Sequence, residues 1–141
     1  MKKIIVFLFI IIISPTAIAG LFKEKAKPEL YLSASDPRDI TAYNKNESIN
    51  VFKKGSRIYF SIYTKKGFKS DYIKYQIIRQ DDNAHIGGYS RIMNKTVRIS
   101  DKNSYINYFV LNRSGKYFIQ IFDIENLQQW IAMGAFAVLD E

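Results

Sequence analysis

Along most of this chain apolar and polar residues alternate, which is the pattern of β-strands that bury one face. The clearest strand covers residues 56–64, where the apolar positions share one face: Ile58, Phe60 and Ile62. Tyr59 and Tyr63 point to the opposite face of that strand. The same alternation predicts strands at 29–34, 72–79, 105–112, 115–123 and 131–139, with shorter candidates at 48–52, 89–93 and 96–100. No segment sustains the period of a helix, so we predict an all-β protein of about seven to nine strands.

The tripeptide Gly-Lys-Tyr at residues 115–117 opens one of these strands and resembles the tyrosine corner of immunoglobulin-like domains. The resemblance implies that the Tyr117 hydroxyl bonds to nearby backbone, and it favours an antiparallel sandwich over a barrel. Antibody-type domains carry a cysteine two residues later and a tryptophan on the third long strand, where this chain has Ile119 and Tyr75. The sequence therefore resembles bacterial immunoglobulin-like β-sandwich domains at the level of the fold, over about residues 29–139, and we assign residues 29–141 to this domain.

The first 19 residues have the order of a secretory signal peptide, with two lysines, an apolar run over residues 4–13 and then Ala17-Ile18-Ala19. A membrane-spanning helix needs about 20 apolar residues, and Ser14-Pro15 closes this run first. We predict cleavage of residues 1–19, a flexible lead-in over residues 20–28, and no transmembrane anchor after cleavage. Gly20 stands where a lipoprotein needs a cysteine, so we expect a periplasmic or secreted bacterial protein without a lipid anchor.

The composition offers little catalytic chemistry. The chain has no cysteine and one histidine, whereas a zinc or copper site needs several nitrogen or sulfur ligands. We interpret His85 as a solvated loop residue and Asp81-Asp82-Asn83 as a turn rather than a calcium loop. No pair of carboxylates and no glycine-rich phosphate loop stands out. We therefore predict no catalytic residue, no metal site and no cofactor, and we expect that the protein is not an enzyme.

Lysines cluster on both sides of the clearest strand in a chain whose formal net charge is +8. Lys65, Lys66 and Lys69 follow the strand and form a basic patch, whereas Lys53 and Lys54 precede it. Loops that flank one strand lie at opposite ends of a sandwich, so we expect two separate patches. For an exported protein such a patch would meet anionic envelope polymer rather than nucleic acid, and the alternative is a charge set that only keeps the domain soluble.

Four aromatic residues are expected to point away from the core and are candidates for an interface: Tyr59, Tyr63, Phe118 and Phe122. Apolar area on an open sheet tends to mark interfaces, and cover by a loop or by the lead-in segment is the alternative. We interpret Trp130, just before the last strand, as a structural plug at the end of the core, with ligand stacking as the alternative. Tyr117 has the structural role that the tyrosine corner implies.

These features favour an exported, non-catalytic binding or assembly module that contacts a protein partner in the bacterial envelope. One alternative is an inhibitor of an exported enzyme, acting through the loop at residues 81–88. The other is a domain that binds carbohydrate or anionic polymer, using Asp81, Asp82 and His85 or an aromatic platform near Trp130.

Overall fold

Eight strands make up the regular structure of the chain in a computed structural model that describes residues 27–39, 49–81 and 87–140. The strands are β1 (Glu29–Ser33), β2 (Val51–Lys53), β3 (Arg57–Tyr63), β4 (Tyr72–Gln80), β5 (Tyr89–Arg98), β6 (Ser104–Val110), β7 (Gly115–Asp123) and β8 (Ala132–Leu139). The described residues contain no helix, and thus none that could cross a membrane. The signal peptide and most of the lead-in lie outside the described residues.

The strands form two sheets, one of three strands in the order β1-β3-β6 and one of five strands in the order β2-β8-β7-β4-β5. All neighbours are antiparallel except β2, which runs parallel to the end of β8. This arrangement confirms the predicted immunoglobulin-like β-sandwich. One detail differs from the prediction, because the candidates at 89–93 and 96–100 are a single strand, β5. A bulge opposite the Ile77/Ile78 step lets this strand continue past the irregular position.

The core lies between the sheets and is made by the apolar positions that the alternation predicts. The side chains of Ile58, Phe60 and Ile62 are fully buried, and those of Tyr75 and Ile119 on the facing sheet are at most 1% exposed. Aromatic rings span the space between the sheets, with centroids 5.0 Å apart for Phe60 and Tyr75. Burial of such side chains supplies most of the driving force for folding.

The tyrosine corner is present at the start of β7. The Tyr117 hydroxyl donates a hydrogen bond of 2.7 Å to the backbone carbonyl of Arg113, and the Tyr117 ring stacks on Phe136 with centroids 5.6 Å apart. Gly115 has a φ of +148°, and a Cβ there would lie 3.4 Å from the Cδ of Arg79. The glycine therefore lets the chain turn into β7 while Arg79 passes close to the backbone.

The loops gather at the two ends of the sandwich. At the first end the backbone N–H of Phe68 bonds the carbonyl of Lys102 (2.7 Å), which joins loop 64–71 to loop 99–103. Loop 124–131 is at the same end, because Asp123 pairs with Ile73. At the second end, the N–H of Gly55 bonds the carbonyl of Leu111 (2.9 Å). Each end of the sandwich is therefore formed by its own set of loops.

Removing the Tyr117 hydroxyl tests the corner. We expect Tyr117→Phe to lower the free energy of unfolding by about 1 to 2 kcal/mol, because it leaves the Arg113 carbonyl without its partner. Chemical denaturation measures this loss. The control is Tyr72→Phe, since Tyr72 is 46% exposed and should change stability by less than about 0.5 kcal/mol. Equal stability of the two variants would contradict the structural role of the bond.

Candidate functional site

The outer surface of the five-stranded sheet, here called the large face, is the most extended open surface of the sandwich. Strand pairing places Ile78, Phe118 and Ala135 in one row across three neighbouring strands. The Tyr89 ring meets the Phe118 ring edge to face, with centroids 5.8 Å apart. Because side chains alternate along each strand, these residues all point away from the core. The row forms an apolar centre on the large face.

A second row beside this centre is held by side-chain hydrogen bonds. The Gln76 amide donates to the Gln120 amide oxygen at 2.5 Å, and the Gln120 nitrogen lies 3.8 Å from the sulfur of Met133. These contacts hold the two glutamines against the sheet and beside the apolar row. Five apolar side chains on this face are between 44% and 51% exposed: Val51, Tyr72, Tyr89, Met133 and Leu139. Together with the apolar row, these side chains give the large face exposed apolar area, a feature of many interaction surfaces.

The charges on the large face are all of one sign. Five basic residues surround the apolar centre: Lys53, Lys74, Arg91, Arg98 and Lys116. Within the five strands that form this face, no outward position holds an aspartate or a glutamate. The sequence did not reveal this pattern, because the residues come from four separate strands, β2, β4, β5 and β7, which become neighbours only in the folded sheet.

The four aromatic interface candidates lie on two opposite faces of the sandwich. Phe118 and Phe122 belong to the large face, and Tyr59 and Tyr63 belong to the outer surface of the three-stranded sheet, here called the small face. Phe118 is half-buried and Tyr63 is 39% exposed. Contrary to expectation, Tyr59 and Phe122 are only 8% exposed and leave little area for a partner. Two of the four candidates are therefore covered within the domain itself.

The small face is a layer of tyrosines whose side chains already contact one another. The Tyr59 and Tyr108 rings lie 5.5 Å apart, and the Arg57 guanidinium lies 4.9 Å from the centre of the Tyr108 ring. A hydrogen bond with Tyr59 raises the pKa of Arg57. These contacts engage Arg57, Tyr59 and Tyr108 with one another, whereas Val110 on the same face is 39% exposed.

The lysine patch is where the sequence places it. Lys65, Lys66 and Lys69 are all exposed in loop 64–71 at the first end, beneath which Phe68 is 8% exposed and anchors the loop. Lys53 and Lys54 lie at the second end, so the two groups are separate as expected. Acidic residues accompany the patch, since the three loops of the first end also contain Asp71, Asp101 and Glu125. The first end is therefore of mixed charge.

A polar cleft of about 470 Å³ opens at the second end. Its lining includes Lys54, Arg79 and Arg113. Lys54 is paired with Asp140 at 2.5 Å, and Arg79 is paired with Asp81 at 3.2 Å. The pairing with Lys54 lowers the pKa of Asp140. Two of the three cations are thus already neutralised, which leaves little charge for an anionic ligand.

Two aspartates, Asp36 and Asp81, lie in turns of the part of the chain that the structure describes. Asp36 accepts hydrogen bonds from the Arg38 side chain and backbone, which lowers the pKa of its carboxyl to about 2. The base of the 81–88 loop is closed by a bond of 2.7 Å from the Asp81 N–H to the Gly88 carbonyl. Asp82 and His85 lie outside the described residues. Among the residues that the structure describes, no group of three or more acidic or histidine side chains could hold a metal ion.

Trp130 does not fill the end of the core, contrary to its interpretation as a plug. Its side chain is 46% exposed in loop 124–131, beside Leu127, which is equally exposed. The neighbouring Ile131 backbone bonds the Ile121 carbonyl at 2.7 Å and fixes the approach to β8. The backbone at this position is therefore ordered by the sheet, while the indole is left in contact with solvent.

Comparison with known proteins supports the fold. The soluble domain of PmoD from Methylocystis sp. is similar to this chain with a TM-score of 0.50 and 12% identity, over 79% of this chain and 90% of that one. An immunoglobulin-like protein from Pseudomonas aeruginosa has a TM-score of 0.48 and 9% identity, over 82% of this chain and 99% of that one. No protein-family model matches the sequence, and no curated protein matches it. At these identities the similarity concerns the fold alone.

The exposure of Trp130 predicts a small cost for its removal. We expect Trp130→Ala to lower the free energy of unfolding by less than about 1 kcal/mol, because its ring does not fill the core. The control is Phe136→Ala, which empties a site that is only 4% exposed and should cost about 3 to 5 kcal/mol. Chemical denaturation compares the two variants. A loss of similar size for both would mean that Trp130 is part of the core after all.

Proposed function

We propose that this chain is an exported, non-catalytic binding module that engages a protein partner through its large face. The observation that carries the proposal is the half-buried apolar centre around Phe118, with the exposed side chains of Tyr89 and Met133 on the same face of the sheet. Strand geometry alone would allow polar side chains at these positions. An apolar surface of this kind costs free energy in water, and burial against a partner recovers it. Export is the part of the proposal that rests on the sequence of residues 1–19.

The dimensions of the large face suit a protein partner. The five strands lie about 4.8 Å apart, and at about 3.3 Å per residue their lengths run from about 10 Å for β2 to about 33 Å for β5. Together they make a surface of about 600 Å² in projection. A standard protein interface buries about 800 Å² on each partner, and weaker transient interfaces bury less. The large face with its edges approaches the standard size. An open sheet surface of this size fits another protein better than it fits a small ligand, which binds in a concave site.

A photoreactive residue on each face tests the proposal. Met133 on the large face and Tyr108 on the small face are 44% and 42% exposed, so they form a matched pair. Each is replaced in the full chain by p-benzoylphenylalanine, and the cells of the source organism are irradiated. We expect a discrete adduct with another protein from position 133 and little or none from position 108. Contact through the large face brings the photoreactive group at position 133 within reach of the partner.

Two results would contradict the proposal. Adducts of equal yield from both positions would show contact without preference for a face, and the absence of any adduct from position 133 would show that the large face is free in the cell. Both variant proteins must first give the same unfolding midpoint as the unmodified chain, which we expect because both positions are exposed.

A further inference from the structure

The cations of the large face are placed around its apolar centre rather than within it. Lys74 lies opposite Phe122, towards the first end, and Lys116 lies opposite Ala137, towards the second end. Arg91 stands on the edge strand opposite Ile78. These three positions enclose the row formed by Ile78, Phe118 and Ala135 on three sides. Lys53 and Arg98 extend the same arrangement at the corners of the sheet.

The acidic residues of the described chain lie elsewhere. They are in turns, on the small face, next to a paired cation or inside the core: Glu29, Asp36, Asp39, Asp71, Asp81, Asp101, Asp123, Glu125 and Asp140. No ion pair joins Lys74, Arg91, Arg98 or Lys116 to any of these residues. The positive charge of these four residues is therefore not compensated within the described part of the molecule.

From this arrangement we infer that the partner of the large face is a protein whose own surface carries acidic residues around an apolar patch. The inference rests on the proposed function and adds the chemistry of the partner. Charge complementarity of this kind raises the rate of association and excludes partners of the wrong sign. Carboxylates on the partner opposite Lys74, Arg91 and Lys116 would supply this charge complementarity.

A second copy of the chain does not fit this description. A symmetric dimer through the large face would bring the same surface of both copies together. Lys74, Arg91, Arg98 and Lys116 of each copy would then face the same residues of the other copy, with no carboxylate on the outward positions of the five strands. Like charges in close apposition oppose association. The charge pattern that favours an acidic partner therefore disfavours self-association through this face.

Charge neutralisation in the crosslinking experiment tests the inference. The full chain carrying the photoreactive group at position 133 is compared with a variant that also has Lys74→Gln, Arg91→Gln and Lys116→Gln. The control variant has Lys65→Gln, Lys66→Gln and Lys69→Gln, which removes the same net charge at the first end. Each protein is irradiated in envelope extract of the source organism at about 50 mM and about 500 mM NaCl, where exposed charges are weakly and strongly screened.

We expect the large-face variant to lose the adduct by about fivefold or more at low salt, while the control variant keeps most of it. The unsubstituted chain should lose adduct by a comparable factor at high salt. Mass spectrometry of the adduct should identify a partner whose crosslinked region is rich in aspartate and glutamate. The unfolding midpoints of both variants check that exposed substitutions have left the fold intact.

Each other outcome overturns the inference in a distinguishable way. An adduct that persists in the large-face variant and at high salt leaves the binding function standing but removes the acidic partner. An adduct of two copies of this chain, or with lipid, replaces that partner with a different one. Equal losses in both variants would mean that net charge, and not the large face, governs binding. Absence of any adduct from position 133 overturns the proposed function and the inference together.

Discussion

The packing of Phe60 between the two sheets is the contact on which the rest of the structure depends. Antibody-type domains join their sheets by a disulfide that packs on a tryptophan, and this chain has no cysteine. Here the Phe60 ring meets Tyr75 at 5.0 Å and Phe109 at 6.0 Å. One aromatic pair contributes about 0.5 to 1.5 kcal/mol beyond its buried area, whereas a disulfide contributes about 2 to 4 kcal/mol. Several aromatic contacts are therefore needed to match the contribution of one disulfide. Phe136 adds two of them, because its ring contacts Phe109 and stacks on Tyr117.

Because the inner faces supply the stability, the two outer faces can differ in chemistry. The small face is covered by tyrosines whose rings and hydroxyls are engaged with Arg57 and with each other. On the large face, polar bonding is concentrated in the row that contains Gln76 and Gln120. The neighbouring apolar row gains nothing from such bonds and remains available for a partner.

The sequence predicts the parts of this structure that depend on local pattern, and it misses those that depend on which strands become neighbours. Alternation places Ile58, Phe60 and Ile62 in the core, and a tripeptide is enough to predict the bond made by Tyr117. Alternation also sends Tyr59 outward, but its cover comes from Tyr108 on a strand that lies far along the chain. Likewise, the surface that contains Val51 and Ala137 exists only because β2 runs beside β8.

Strand pairing also brings the cations of the large face together, and their charge affects how this surface can associate with other molecules. An open apolar sheet surface is a liability, since identical molecules can bury it against each other and aggregate. Lysine and arginine on such a surface, with no acidic residue among them, make every copy repel every other copy at short range. A partner with carboxylates at matching positions meets attraction instead of repulsion. If the large face binds a partner as proposed, the cations separate two processes that apolar area alone cannot separate, namely self-association and recognition of a different protein.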